Sequence, residues 1–578
     1  MISLRAIAAS PGIAIGEVYL LESMGPSDSK RKTKDPDKEF ERLKKALDVT
    51  KNQLEIIRTK TEKELGHYEA MIFDTHLLIL EDPTFLREVE TNILKRGLNA
   101  EKAIQEAVMK FSSTLEAISD PYFKARSVDI EDVGRRIINN ILRRETDPLA
   151  MLESPVIVIA KDLTPSDTVG MNKKMVLGFA TDLGSLTSHT AILARSLGIP
   201  AVVGLDKVTE NVHLGDKIIV DGIRGIVVIN PSPAILAQYR KEKEDYDFFL
   251  NSLNEVKFLE AKTIDGHQVE VAANIGSMEE VDTALSNGAE GIGLLRSEFF
   301  YLDRDTPPSE EELFHAYKVI AEKMLPRSVI VRTLDVGGDK YPRYLKISPE
   351  ANPFLGLRGI RLSLSNKVGR ELMETQLKAI VRAGKYGNLK VMFPMISDIR
   401  EVRETHKIFD EVASELSDSN QLNDRIEIGI MIETPSAALT ADILAKEVDF
   451  FSIGTNDLIQ YTMAADRTNA HVSNIYDSMH PSILRLVKRI IDCGHQNRIW
   501  VGMCGEMASD PLCIRILLGM GLDEFSVTPF AVPRVKQIVR STSYEEAISV
   551  AEEALRLETA SEIRLLMEHN LRKHESGK

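Results

Sequence analysis

The chain has 578 residues, 43% of them hydrophobic and 28% charged, a formal net charge of −15 at pH 7 and three cysteines. At about 150 residues per domain, this length predicts three to five domains, each able to bury a core. The acidic balance argues against non-specific nucleic-acid binding and leaves local basic clusters free to hold an anion. Cys493, Cys504 and Cys513 are too few for a disulfide framework and form no Cys-x-x-Cys metal pair, so a reducing, cytoplasmic setting is expected. Arg5, Pro11 and Glu17 interrupt the N-terminal apolar residues before a signal-peptide core forms. No apolar run approaches the roughly 20 residues of a membrane span.

Residues 1–22 alternate apolar and small side chains around Gly12 and Gly16 and read as a strand pair with no core of its own. A polar patch leads into a charged region where Leu43, Leu47, Leu54, Ile57, Leu65 and Ile72 recur at threes and fours, which predicts a helical bundle over 23–146. From Pro155 the pattern turns strand-like, with Val156–Ile159 and Lys217–Val220 broken by turns such as Asp221-Gly222. Residues 1–22 and 147–230 therefore read as one α/β domain into which the bundle is inserted. Pro231-Ser232-Pro233 ends that domain. Residues 231–260 hold no further Gly or Pro and read as a linker helix, able to position two domains while letting them swing.

Within the α/β domain, Thr187-Ser188-His189-Thr190-Ala191-Ile192-Leu193-Ala194-Arg195 follows a polar loop and ends at Gly198 and Pro200. Thr187 or Ser188 can cap a short helix, which sets His189 in a first turn whose N–H groups favour an anion and disfavour imidazolium. A phosphoryl-accepting nucleophile and a histidine that merely caps or packs are both compatible with that stretch.

Beyond Gly266, eight short apolar runs alternate with helical spacers: Glu270–Ile275, Gly291–Leu295, Val329–Thr333, Lys390–Pro394, Ile428–Ile432, Phe450–Ile453, Trp500–Met503 and Phe525–Val527. This predicts a (β/α)8 barrel over 261–573, with 574–578 as a tail. Barrel chemistry lies at the C-terminal strand ends, and the residues there are polar. They are Arg296-Ser297-Glu298, Arg332 with Asp335 and Lys340, Glu433, Asn456-Asp457 followed by Arg467, and Cys504-Gly505-Glu506. Arg296, Arg332 and Arg467 can clamp a small polyanion, with Arg358 a possible fourth. Glu433 and Asp457 suit a hard divalent cation, or are rim carboxylates paired with arginine. Cys504 is a small buried filler or a proton donor to an enolate.

The stretches Gly184–Arg195, Gly293-Leu294-Leu295-Arg296-Ser297-Glu298, Thr333–Lys340 and Phe451–Leu458 resemble Enzyme I of the bacterial sugar phosphotransferase system, the phosphoenolpyruvate-protein phosphotransferases. The resemblance spans essentially the whole chain. It implies a multidomain α/β protein: a phosphohistidine swivelling domain with an inserted bundle, a linker helix and a phosphoenolpyruvate-binding (β/α)8 barrel. It further implies that His189 takes a phosphoryl group from phosphoenolpyruvate on Nε2 and passes it to the carrier HPr, which docks on the bundle. Residue by residue, Arg296, Arg332, Asn456, Asp457 and Arg467 match the family's substrate contacts, Glu433 and Asp457 its Mg2+ ligands, Cys504 its proton donor, and Thr168 a threonine touching the active histidine. Asp335, Lys340, Arg358 and Glu506 are expected to support the site. The bundle holds no diagnostic motif, so His76 and Arg126 are only candidates for docking. Dimerisation through the barrel is implied by resemblance alone.

Pyruvate phosphate dikinase and phosphoenolpyruvate synthase share the phosphohistidine domain and barrel, but they carry a large ATP-binding domain for which residues 1–146 are too few and lack a Gly-rich loop. A non-catalytic phosphoenolpyruvate sensor would not need a nucleophile and a proton donor together. The nitrogen-regulatory form is expected to carry an extra N-terminal sensory domain.

Overall fold

Strand-forming and helix-forming segments assemble into two units, Met1–Leu250 and Asn251–Lys578. The computed structural model describes all residues except 22–32, 34, 65–66, 117–120, 144–148, 150–151, 153, 165–166, 168–173, 185–189, 192–193, 196–197, 303, 339–340, 343, 346, 349, 418–424, 468, 470, 473 and 577–578.

In the first unit, aliphatic runs form β1 (Ile2–Arg5), β2 (Ile7–Ser10), β3 (Ile13–Leu21), β4 (Val156–Ala160), β5 (Val176–Thr181), β6 (Ala201–Val203), β7 (Lys217–Asp221) and β8 (Ile226–Ile229). They lie in one sheet in the order β1-β8-β7-β3-β4-β5-β6-β2. The segment read as a strand pair makes three strands, and none pairs with its sequence neighbour. β1 joins β8, β2 joins β6, and β3 lies between β4 and β7. A single residue, Ala6, separates β1 from β2, too little for a hairpin turn. Successive residues of β4 face opposite sides of the sheet, Val156 and Val158 into one core and Ile157 and Ile159 into another.

Among the described residues, five helices stand between β3 and β4: α1 (Pro36–Glu64), α2 (His67–Glu81), α3 (Pro83–Leu94), α4 (Ala100–Glu116) and α5 (Pro121–Leu142). Their shared core includes Leu43, Leu54, Phe73, Phe85, Ile93, Ile104 and Ile137. Asp82 caps α3 by accepting from the N–H groups of Thr84 and Phe85, with Pro83 at the first helical position. A long helix, Pro233–Val256, follows β8, and its Ile235, Leu236 and Tyr239 pack on Ile13, Ile219 and Val228 of the sheet.

The second unit holds β9 (Glu270–Ile275), β10 (Ile292–Arg296), β11 (Ser328–Arg332), β12 (Asn388–Phe393), β13 (Ile428–Ile432), β14 (Phe450–Ile453), β15 (Trp500–Met503) and β16 (Glu524–Val527). These strands close a barrel in which every pairing is parallel. Alternate residues divide the packing. Leu294, Ile330, Met392 and Met431 meet in one cluster with Phe450, while their neighbours Leu295, Val329, Val331, Val391 and Ile430 join the larger core shared with the helices. Parallel strands all end at the same rim, so residues more than 200 positions apart in sequence meet there.

Candidate active site

Arg296 and Arg332 are the last residues of β10 and β11, Glu433 directly follows β13, and Cys504 directly follows β15. Asn456 and Asp457 lie in the first turn of the helix Thr455–Met463, one residue beyond β14. All six line a cavity of ≈ 270 Å³, together with Glu298, Asp335, Arg358, Arg467, Gly505 and Glu506. His189, Thr168 and Lys340 lie outside the described residues.

A chain of alternating charges runs along the wall. Arg332 Nη2 is 2.6 Å from Glu298 Oε1, and its Nη1 is 3.1 Å from Asp335 Oδ2. Arg358 donates from Nε and Nη2 to the two oxygens of Asp335, both at 3.1 Å. It also donates from Nη1 and Nη2 to the two oxygens of Asp457, at 2.8 and 3.0 Å, and from Nη1 to Tyr461 Oη at 3.2 Å. All five guanidinium N–H groups of Arg358 are thereby engaged. Where the sequence offered a fourth anion clamp, the structure has a brace between two carboxylates. Arg296 and Arg467 face the same cavity with no carboxylate partner among the described residues.

Burial opposes ionisation of Asp335, but Arg332 and Arg358 outweigh it and hold the carboxyl below its ordinary range. Glu433 goes the other way. Burial, then the nearby carboxylates of Asp457 and Asp335, push it up to about 8, even though its Oε1 accepts the Met395 N–H at 2.6 Å. Two mutually repelling buried carboxylates on adjacent strand ends are a donor set that a divalent cation would stabilise, and two protein ligands leave room for water and substrate oxygens. The residues fit such an ion. Cys504 is buried and its thiol is pushed up to about 11, chiefly by burial, so it is protonated at neutral pH. Asn456 and Glu506 are tied reciprocally: Asn456 Nδ2 donates to Glu506 Oε1 at 3.2 Å, and the Glu506 N–H donates to Asn456 Oδ1 at 2.9 Å.

Three family models match the chain: PEP-utilising enzyme, N-terminal, over residues 5–126; PEP-utilising enzyme, mobile domain, over 152–225; and PEP-utilising enzyme, PEP-binding domain, over 251–544. A phosphoenolpyruvate-protein phosphotransferase of Listeria innocua is 47% identical over 568 residues, covering 98% of each chain. The chain belongs to the phosphoenolpyruvate-protein phosphotransferase family. A relative from Bacillus subtilis with the same name is 45% identical over 566 residues, covering 97% of this chain and 98% of its own. A solution NMR structure of an Enzyme I protein is 46% identical, covers 42% of this chain and 99% of that one, and has a TM-score of 0.36.

As a member of this phosphotransferase family the chain is an enzyme, a transferase. Among the described residues no helix is long and apolar enough to cross a membrane. Of the two docking candidates in the bundle, His76 is fully buried, with Nε2 3.5 Å from Asp129 and Nδ1 3.9 Å from Asp132, and its ring stands edge-on to Phe73. It therefore has no surface to offer a partner. Arg126 is partly exposed and donates to Thr75 Oγ1 at 2.9 Å and Asp129 Oδ2 at 3.1 Å. Sequence reasoning passed over the pairing of Glu298 with Arg332 and of Tyr461 with Arg358, because neither partner is near the other in the chain.

Proposed function

We propose that this chain moves the phosphoryl group of phosphoenolpyruvate to Nε2 of its own His189 and then to a histidine of the phosphocarrier HPr, releasing pyruvate in the cytoplasm as the first step of sugar uptake. The observation that carries the reading is that guanidinium groups without carboxylate partners among the described residues share one cavity with a protonated thiol. Phosphoenolpyruvate carries a phosphate and a carboxylate, and Arg296, Arg332 and Arg467 can take both. As the bond from phosphorus to the enol oxygen breaks and the bond to His189 forms, these arginines neutralise charge on the equatorial oxygens. Asn456, its amide fixed by Glu506, has one Nδ2 hydrogen left to donate. The departing enolate takes a proton at its methylene carbon from Cys504 Sγ, which solvent later restores, and pyruvate leaves. A thiol held at about 11 gives up its proton only to a base such as that carbanion-like carbon. Glu433 and Asp457 would hold Mg2+, which when bound supplies further neutralisation of substrate oxygens.

The test is incubation with phosphoenolpyruvate, Mg2+ and HPr. Pyruvate should form in step with a phosphohistidine on HPr, and phosphoenolpyruvate binding without pyruvate would refute the reading.

A further inference from the structure

A pocket for an anion gains nothing electrostatically from a carboxylate, yet Glu298 lines this one. It stands on the short 3-10 turn Ser297–Phe300, directly after β10, and reaches across to Arg332 at the end of β11 with the 2.6 Å ion pair. The two side chains are only 12% and 10% exposed, so solvent screens the pair weakly. Asp335 also touches Arg332, but its two oxygens are shared with Arg358. Glu298 is the counter-ion among the described residues that Arg332 does not share with another arginine. Arg332 Nε, which shares the Nη2 edge of the guanidinium, is buried and has no hydrogen-bond partner, and Glu298 Oε2 is likewise buried without one.

We propose that Glu298 is a positioning residue. Gripping Nη2 of Arg332, it holds the guanidinium in place along the cavity wall, toward the phosphoryl oxygens of the substrate. The inference rests on the phosphoryl-transfer reading above. Charge balance alone does not account for the arrangement, because Arg296 and Arg467 line the same cavity without a carboxylate partner among the described residues. What distinguishes Arg332 is that a carboxylate of its own, Glu298, clamps it at the cavity wall.

The test uses the full chain with phosphoenolpyruvate and Mg2+, measuring kcat and KM for phosphorylation, phosphoenolpyruvate binding by calorimetry, and thermal unfolding. Glu298→Ala should lower kcat by about 30- to 100-fold with a much smaller change in KM, as expected for a misplaced group that acts in the transition state. Glu298→Gln keeps an oxygen acceptor at full reach and should regain about tenfold of that loss. Glu298→Asp, one methylene too short, should not, and this contrast stands even if the alanine variant fails to fold. Full kcat in Glu298→Ala overturns the proposal. So does tighter phosphoenolpyruvate binding with unchanged kcat in Glu298→Gln, the signature of a plain electrostatic penalty. A wild-type chain that neither binds phosphoenolpyruvate nor becomes phosphorylated overturns the function reading itself, which is a separate outcome.

Discussion

Replacing Arg358 with alanine should cost the barrel far more than the loss of a surface ion pair. The guanidinium is 9% exposed and is the cation that joins Asp335, 3% exposed, to Asp457, 9% exposed. Arg358→Ala leaves both carboxylates in a wall that already contains Glu433, pushed up to about 8. Removing one partner of a buried pair costs about 3–5 kcal/mol. Asp457 loses its cation, whereas Asp335 keeps the Arg332 ion pair, so the cost is that of one stranded carboxylate. Relief comes from protonation, since each unit of upward pKa shift corresponds to about 1.4 kcal/mol. Arg358 is one of the cations that hold Glu433 down, so its loss lifts that folded value further above the unfolded one. A group raised in this way contributes fully in acid and loses its contribution as pH rises through the folded value. The stability gap between wild type and variant should therefore widen as pH rises above about 8. Trp500, the single tryptophan, is stacked on Phe450 with ring centroids 4.5 Å apart and makes urea unfolding of the barrel visible by fluorescence. A neutral-pH loss below about 1 kcal/mol, the size of an exposed pair, or a gap that does not change with pH, would refute the reasoning.

Three further outcomes are expected. Cys504→Ala should slow pyruvate release by about 100-fold while changing phosphoenolpyruvate affinity much less, and unchanged turnover would return the thiol to a packing role. Gly505→Ala puts a Cβ 1.8 Å from Thr455 Oγ1 and 2.7 Å from the Thr455 nitrogen, so the helix carrying Asn456 and Asp457 must shift. Calorimetry should show weaker phosphoenolpyruvate binding, and unfolding should show a loss of about 1–3 kcal/mol. His495 Nε2 lies 2.8 Å from Asp523, and that hydrogen bond raises the imidazole pKa. The pair stabilises below about pH 6.5, and its contribution fades as pH rises through the raised value. Melting temperatures of wild type and His495→Gln should therefore converge in alkaline buffer.

The barrel strands were legible because each is a short apolar run bounded by turn residues. Ile428–Ile432, Phe450–Ile453 and Trp500–Met503 coincide with the observed strands residue for residue. A parallel barrel then dictates which residues share a rim, and twelve of the rim and supporting residues named from sequence line one cavity. Pairings that depend on distant partners were not legible. β1 and β2 look like a hairpin until β8 and β6, some 200 residues away in sequence, take their hydrogen bonds. Arg358 reads as a clamp because its charge is visible in sequence, whereas the hydrogen bonds that occupy it depend on loops after two other strands. His76 sits in a helix-forming stretch whose buried face is set only by how α2 packs beside α5.

The measurement that bears most directly on the account is the intact mass of the chain after incubation with phosphoenolpyruvate and Mg2+, taken before and after acid treatment. The account predicts one added phosphoryl group, lost in acid and absent from His189→Ala, which should still bind phosphoenolpyruvate. No added mass on the wild-type chain with phosphoenolpyruvate bound, or an acid-stable phosphoryl group that persists in His189→Ala, would contradict it.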